Sequence, residues 1–133
     1  MALDTQALGE VFRRYPGVQA VYLFGSHAAG TARADSDVDL AIVPRNAAVR
    51  EQRLDILTDL TRLGLDRVDL TFLDTDDLVL LYEAVRHNHV VYQTPDFERG
   101  VLYSYTIRRY FDFLPYLKRQ RAAYKRRLQH DQA

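Results

Sequence analysis

The chain has no cysteine, which excludes disulfides, thiolate zinc sites and thiol nucleophiles and is compatible with a reducing compartment. No run approaches the roughly 20 uncharged apolar residues that a membrane span needs. The opening stretch MALDTQALGE lacks the basic and apolar regions of a signal peptide. A soluble, cytoplasmic protein with no membrane association is the expectation. At 133 residues there is room for one domain with a modest core and an appended helix, not for a second catalytic domain. There is no internal repeat and no low-complexity stretch.

What is present is unevenly distributed. Residues 1–96 hold 9 Arg against 15 Asp and Glu, a net charge of about −6, and residues 97–133 hold 9 Lys and Arg against 3 acids, a net of about +6. We therefore expect a main domain over 1–95 and a basic helical extension over 96–133, the latter packing on the domain or meeting a partner.

Hydrophobic periodicity outlines an α/β unit. Leu8, Val11, Phe12 and Tyr15 recur at helical spacing before Pro16-Gly17. A strand is predicted over Val18–Phe24, a second from about Asp37 to Val43, and a helix marked by Leu54, Leu57, Leu60 and Leu63 that ends at Gly64. The third strand, Arg67 to Leu73, alternates Val68, Leu70 and Phe72 with Asp69. Asp76 and Asp77 open a helix carrying Leu78, Leu81, Tyr82 and Val85, and Val90–Tyr92 reads as a short edge strand. The last helix is predicted from Phe97 to Gln129, kinked or broken near Pro115.

The chemistry concentrates in GSHAAGTARADSDVDL, residues 25–40. Asp37 and Asp39 are two apart on a predicted strand, so their side chains share a face opposite Val38, Leu40 and Ile42. One face is thus expected to be apolar and the other anionic. Asp69 projects from the same sheet surface on a neighbouring strand. Magnesium prefers hard oxygen ligands and takes a few carboxylates with water and phosphates. In two-metal phosphoryl transfer, bridging ligands hold ions about 4 Å apart, one activating the attacking oxygen and one neutralising the leaving oxygen. Asp37 and Asp39 are the candidate bridges, and Asp69 is placed to orient, or take the proton from, an incoming hydroxyl. Taken alone, the D-x-D pair also fits a solvated strand face. Gly25 and Ser26 at a strand end suit a phosphate turn, Gly25 by bending where a Cβ would clash and Ser26 by its N–H and hydroxyl, with a helix start behind them. Gly30 is expected to permit another close backbone approach, and Ser36 to donate to a phosphate or hold the start of the strand. A Gly-Ser dipeptide by itself is an ordinary loop. The specific feature is the combination of Gly-Ser at a strand end, ten residues, D-x-D, then a third Asp on the next strand.

That combination resembles the nucleotidyltransferases of the DNA polymerase beta superfamily. More narrowly, GSHAAGTARADSDVDLAIV resembles the minimal nucleotidyltransferases, the MntA-like antitoxins paired with HEPN ribonuclease toxins, over roughly residues 5–95. The resemblance implies a polymerase-beta-like α/β fold, a small mixed sheet flanked by helices with an added C-terminal helical segment. It implies metal binding and catalysis by Asp37, Asp39 and Asp69, and nucleotide binding by Gly25 and Ser26, to which we add Ser36. The implied cofactor is Mg2+, as two ions, with ATP as substrate. The implied reaction transfers AMP to a tyrosine of a cognate HEPN toxin in a hetero-oligomer, releasing pyrophosphate and silencing the RNase. Where family members often carry Arg just before the second glycine, this chain has Ala29, so that phosphate contact is absent or comes from elsewhere, with Arg33 a candidate.

Other features point less sharply. His27 lies in the turn, where it can contact phosphate or stay solvated. His87 and His89 lack the partners of a zinc site. Tyr103, Tyr105 and Tyr110 suit packing, with self-modification as the alternative. In the tail, Tyr110, Leu114, Leu117, Tyr124 and Leu128 form a seam interrupted by Arg121 and surrounded by Lys118, Arg119, Lys125, Arg126 and Arg127. It can dock on an acidic or helical partner, fold back on its own acidic half, or bind RNA. Three functions follow: an AMP-transferring antitoxin, an antitoxin acting by direct binding with an idle nucleotide site, or a small-molecule or RNA nucleotidyltransferase. A shared fold does not choose among them.

Overall fold

Asp4 starts the first helix by accepting the Gln6 and Ala7 N–H groups at 3.1 Å each, which satisfies two of the donors that a helix leaves orphaned at its N-terminus. The computed structural model describes residues 3–33 and 35–131. The elements run α1 (Thr5–Arg13), β1 (Val18–Phe24), α2 (Ser26–Ala29), β2 (Val38–Pro44), α3 (Arg53–Arg62), β3 (Val68–Phe72), α4 (Leu78–Val85), β4 (Val90–Gln93) and α5 (Arg99–Asp131). A 3-10 turn over Ala47–Gln52 leads into α3.

The four strands form one mixed sheet in the order β3-β2-β1-β4. β1 runs antiparallel to β2 and β4, and β2 runs parallel to β3. The helices α1 and α3 cover one face, burying Leu8, Phe12, Ile56 and Leu60 against Val21, Leu23, Leu40 and Ile42. The opposite face is covered by α4 and the start of α5, where Leu81, Ala84, Val85 and Phe97 meet Ala20, Tyr22 and Ala41.

This second cover corrects the expectation of one apolar and one anionic face. On β2 the face that carries Asp39 continues through Ala41, which is buried, and Val43. The anionic patch is confined to the end of the sheet where β1 leaves and β2 and β3 begin. The amphipathic face of α3 also differs. Leu60 is fully buried and Leu57 packs on the core as expected, but Leu54 and Leu63 are exposed and Ile56 is buried in their place, because a step of three residues drifts round a helix of about 3.6 residues per turn.

The last helix is unbroken through Pro115. Proline removes one backbone N–H, and the surface it faces at Phe111 is exposed, so water can serve the freed carbonyl. Only the first half of α5 packs on the domain. Tyr110 stacks on Tyr82 of α4 with ring centroids 3.7 Å apart, and Thr106 is fully buried. Beyond Tyr110 the helix continues as one element with Tyr124 and Leu128 exposed. Among the described residues no helix is long and apolar enough to cross a membrane.

At the far end of the sheet, Arg45 closes the domain with a two-pronged hydrogen bond to Asp96 at 2.7 and 2.8 Å and another to Thr94 at 2.9 Å. The guanidinium holds the Asp96 carboxyl well below the usual carboxylate range. Tyr22 is a counter-example of satisfaction. Its ring is fully buried, its hydroxyl finds no partner among the described residues, and burial pushes its pKa up to about 12. An unpaired buried hydroxyl costs about 1–3 kcal/mol. Tyr22→Phe is therefore expected to keep or raise stability, whereas Phe12→Ala is expected to lose about 3–5 kcal/mol. Urea unfolding followed by circular dichroism checks both, and a Tyr22→Phe variant destabilised by about 1 kcal/mol would show that the hydroxyl is paired.

Candidate active site

The site is built where β1 ends. Gly25 adopts φ 71° and ψ −150°, a conformation that side-chain-bearing residues rarely take. A Cβ there would collide with a carboxylate oxygen of Asp39 and lie 3.1 Å from its Cγ. Both constraints demand glycine, and the second ties the turn directly to the acidic strand. The α2 turn follows, closed by Ala29 N–H donating to the Gly25 carbonyl at 3.1 Å and Thr31 N–H to the Ser26 carbonyl at 3.0 Å. Gly25 offers no side-chain cap, so the first N–H groups of the turn are left for an outside acceptor. With only four residues, α2 contributes individual N–H groups and little macrodipole. Gly30 is left-handed at φ 77°, and a Cβ placed on it would meet no protein atom within 4 Å, so within the chain glycine is needed there for the turn geometry.

The carboxylates are set by strand pairing. In the parallel β2–β3 ladder Asp39 is the partner of Asp69, flanked by Val38 with Val68 and Leu40 with Leu70. Residues in register on adjacent strands point to the same face, so two carboxylates meet on the open end of the sheet, with Phe24 of β1 on Asp39's other side. Asp37 lies one residue before β2. Burial, then the charges of Asp69 and Asp37, push the Asp39 pKa up, and His27 partly opposes them. All three aspartates are thus brought within electrostatic reach, with Asp39 half-buried and Asp37 and Asp69 exposed. Among the described residues no three His, Asp or Glu side chains are gathered into a metal cluster as they stand. The donor set nevertheless fits a hard divalent cation. It offers only carboxylate oxygens, converging from one loop and two strands, and a cation would relieve the repulsion that raises Asp39.

Ser36 shapes the loop ahead of β2. Its Oγ accepts the Arg33 N–H at 2.7 Å and its own N–H donates to the Arg33 carbonyl at 3.1 Å, a turn that delivers the chain to Asp37. The His27 ring lies 3.5 Å from the Ser36 carbonyl and close enough to Asp39 to act on its charge, which places this residue at the site. His87 and His89 form no metal group, and the His89 carbonyl instead accepts the Leu23 N–H at 2.8 Å. Sequence reasoning missed Arg67. Its guanidinium donates to the Asp35 carbonyl at 2.8 Å and its own carbonyl accepts the Val38 N–H at 2.8 Å, so one residue clamps the chain on both sides of Asp37. Its place two residues before Asp69 was the available signal.

A carboxylate whose folded pKa lies above its unfolded value binds its proton more tightly when folded, so it weakens the fold once pH rises above both values. Asp39→Asn is therefore expected to raise the melting temperature at pH 7 and to lose that advantage near pH 3. Thermal unfolding at the two pH values checks it, and a variant that melts lower than wild type at pH 7 would contradict the repulsion.

Known proteins share this arrangement. The family described as "Polymerase beta, Nucleotidyltransferase" matches residues 6–97. No curated protein sequence matches the chain. Among solved structures, a toxin–antitoxin crystallised with AMP-PNP is 24% identical, with a TM-score of 0.70 over 96% of this chain and 99% of that one. A mutant of the MntA–HpeT toxin–antitoxin is 26% identical with a TM-score of 0.70, over 96% of this chain and 98% of that one. An MNT antitoxin in complex with a tri-AMPylated HEPN toxin from Shewanella oneidensis has a TM-score of 0.61 at 21% identity, over 95% of this chain and 99% of that one. The shared fold extends through α5 as well as the sheet. With residues 6–97 matched and the turn, D-x-D and third aspartate all placed at one end of the sheet, the chain belongs to the polymerase beta nucleotidyltransferase family.

Proposed function

We propose that this chain is a magnesium-dependent nucleotidyltransferase antitoxin that transfers AMP from ATP to a tyrosine of a cognate HEPN-family RNase toxin, within a hetero-oligomer. The observation that carries the reading is the pairing of Asp39 with Asp69 in register directly under the Gly25 turn. Support for the partner and the nucleotide comes from the similar solved structures, one with AMP-PNP and one with an AMPylated HEPN toxin.

In this reading Asp37, Asp39 and Asp69 hold the cation, and magnesium supplies charge neutralisation for phosphoryl oxygens as the reaction proceeds. The N–H groups after Gly25 hold the triphosphate. The acceptor oxygen forms a bond to the α-phosphorus, the bridging bond to the β-phosphate oxygen breaks, and pyrophosphate leaves with the electron pair. Asp69, exposed on the strand next to Asp39, takes the proton of the incoming hydroxyl. His27 and Arg67 hold the loop that carries Asp37 and do not touch the reacting atoms in this scheme.

Incubating the chain with labelled ATP, Mg2+ and its HEPN partner is expected to label a toxin tyrosine, and Asp39→Ala to cut the rate about 100-fold or more. An unlabelled toxin with the wild-type protein, or equal labelling by Asp39→Ala, would refute the reading. A second expectation concerns the turn. Gly25→Ala should lower kcat/KM about 100-fold by displacing the triphosphate and destabilise the fold by more than about 1 kcal/mol, since alanine at positive φ is strained. Steady-state kinetics and urea unfolding on the same preparation check both parts.

A further inference from the structure

The face of α5 that packs on the domain continues past the domain without a cover. Steps of three and four residues place Leu102, Thr106 and Tyr110 on one side of the helix. Thr106 is fully buried, Leu102 packs on the cluster around Tyr22, and Tyr110 stacks on Tyr82. The same stepping carries the stripe on through Phe113, Leu117, Arg121, Tyr124 and Leu128. Phe113 and Leu117 are half-covered, whereas Tyr124 is 60% and Leu128 44% exposed. The cover ends because α4, which supplies Tyr82, is only eight residues long.

Charge narrows what can lie on the continuation. Between Pro115 and Gln129 there are six Lys and Arg and no acid. Five of the cations flank the stripe, and Arg121 stands inside it. A second copy would set two such segments against each other, six positive charges facing six, which is unfavourable at close range. A phosphate backbone would suit the cations but would leave the aliphatic stripe of Leu117 and Leu128 uncovered. An anionic lipid surface prefers an apolar face free of charge at its centre, whereas a guanidinium buried in an apolar seam needs a carboxylate.

We propose that the distal stripe of α5 seats a helical surface of a partner protein, apolar along its middle and rimmed by Asp and Glu. It occupies the position that a longer α4 would fill and places one carboxylate opposite Arg121. The partner is the HEPN-family toxin of the function proposed above, and the inference rests on that reading for the partner but not for the chemistry.

The test uses the full chain carrying Asp39→Asn, so that binding is measured without transfer. It is titrated against the HEPN-family protein in a calorimeter at two salt concentrations. Arg121→Glu and, separately, Tyr124→Ser with Leu128→Ser are expected to weaken the complex tenfold or more while circular dichroism and melting temperature stay unchanged. Arg121→Lys is expected to retain part of the affinity, and added salt to weaken the parent complex more than that of Arg121→Glu. Variants that bind as tightly as the parent overturn the proposal, as does a parent that does not bind the toxin. It is equally overturned by a concentration-dependent dimer in sedimentation that the same substitutions abolish. Binding to a single-stranded RNA oligomer or to phosphatidylglycerol vesicles that these variants lose, with toxin affinity intact, would also overturn it. Toxin bound through the stripe but never labelled by the unsubstituted chain would sink the transfer chemistry alone. Toxin labelled normally by the stripe variants, with unchanged affinity, would sink the docking surface alone.

Discussion

The site depends on the parallel pairing of β2 with β3. That ladder sets Asp39 beside Asp69, and two carboxylates in adjacent register repel. What holds them there is the other face of the same strands, where Leu40, Ile42, Leu70 and Phe72 are buried under α1 and α3. Strand side chains alternate with a period of two, so slipping the register by one residue would expose those four and drive the aspartates into the core. Burial of four large apolar side chains, each contributing roughly 1.5–3 kcal/mol, outweighs the repulsion of partly solvated carboxylates. The sheet can therefore keep its acids together before anything neutralises them, and burial together with the neighbouring charges raises the Asp39 pKa.

Around that ladder the rest of the site acts as backbone control. Gly25 brings β1's end against the Asp39 carboxylate, closer than any side chain would allow. Arg67 holds the chain before and after Asp37 with one guanidinium and one carbonyl. Ser36 turns the loop ahead of it. Each limits how far an exposed aspartate or a turn N–H can wander, which is the preorganisation that charge-based catalysis requires.

Much of this was legible because it rests on short-range pattern. The alternation in Val68–Phe72 and the spacing from Gly25 to Asp39 are local, and they gave the strands, the shared acidic face and the family resemblance. Pattern misleads where tertiary packing decides. Leu54 and Leu63 belong to the same three-residue spacing as the buried Leu60, yet they are exposed while Ile56 is buried, because that spacing drifts round a helix of about 3.6 residues per turn. Ala41 and Val43 sit on the face of Asp39 and are small or apolar because they join the second core cluster with Leu81, Ala84 and Val85, segments about 40 residues apart. Gly30 is a left-handed turn residue with open space where a Cβ would stand. Arg67 escaped notice because a clamp made half of main chain leaves little signature in side-chain pattern. Pro115 leaves its helix whole because the surface around it is exposed, so the missing N–H costs less than it would inside a core.

The long helix explains how so small a chain could act on a large acceptor. At about 1.5 Å per residue, the 33 residues of α5 extend roughly 50 Å, while α4 can cover only about 12 Å of that length. The proximal half is anchored rigidly by the Tyr82–Tyr110 stack and buried Thr106. An unbroken helix transmits that anchoring, so anything seated on the distal stripe is held at a fixed distance and orientation from Asp39 and Asp69. An acceptor pocket needs further elements of the same chain or a partner. Here the described residues between Leu3 and Gln93 are taken up by the sheet and the helices that cover it, and no further element remains to form one. In the function proposed above, a rigid arm carrying the proposed docking surface would stand in for that pocket, and the orientation of the acceptor hydroxyl would become a property of the complex. In that same reading the positive tail and the negative domain divide the work: the acids would hold the reacting phosphates through a cation, and the bases would recruit the molecule to be modified.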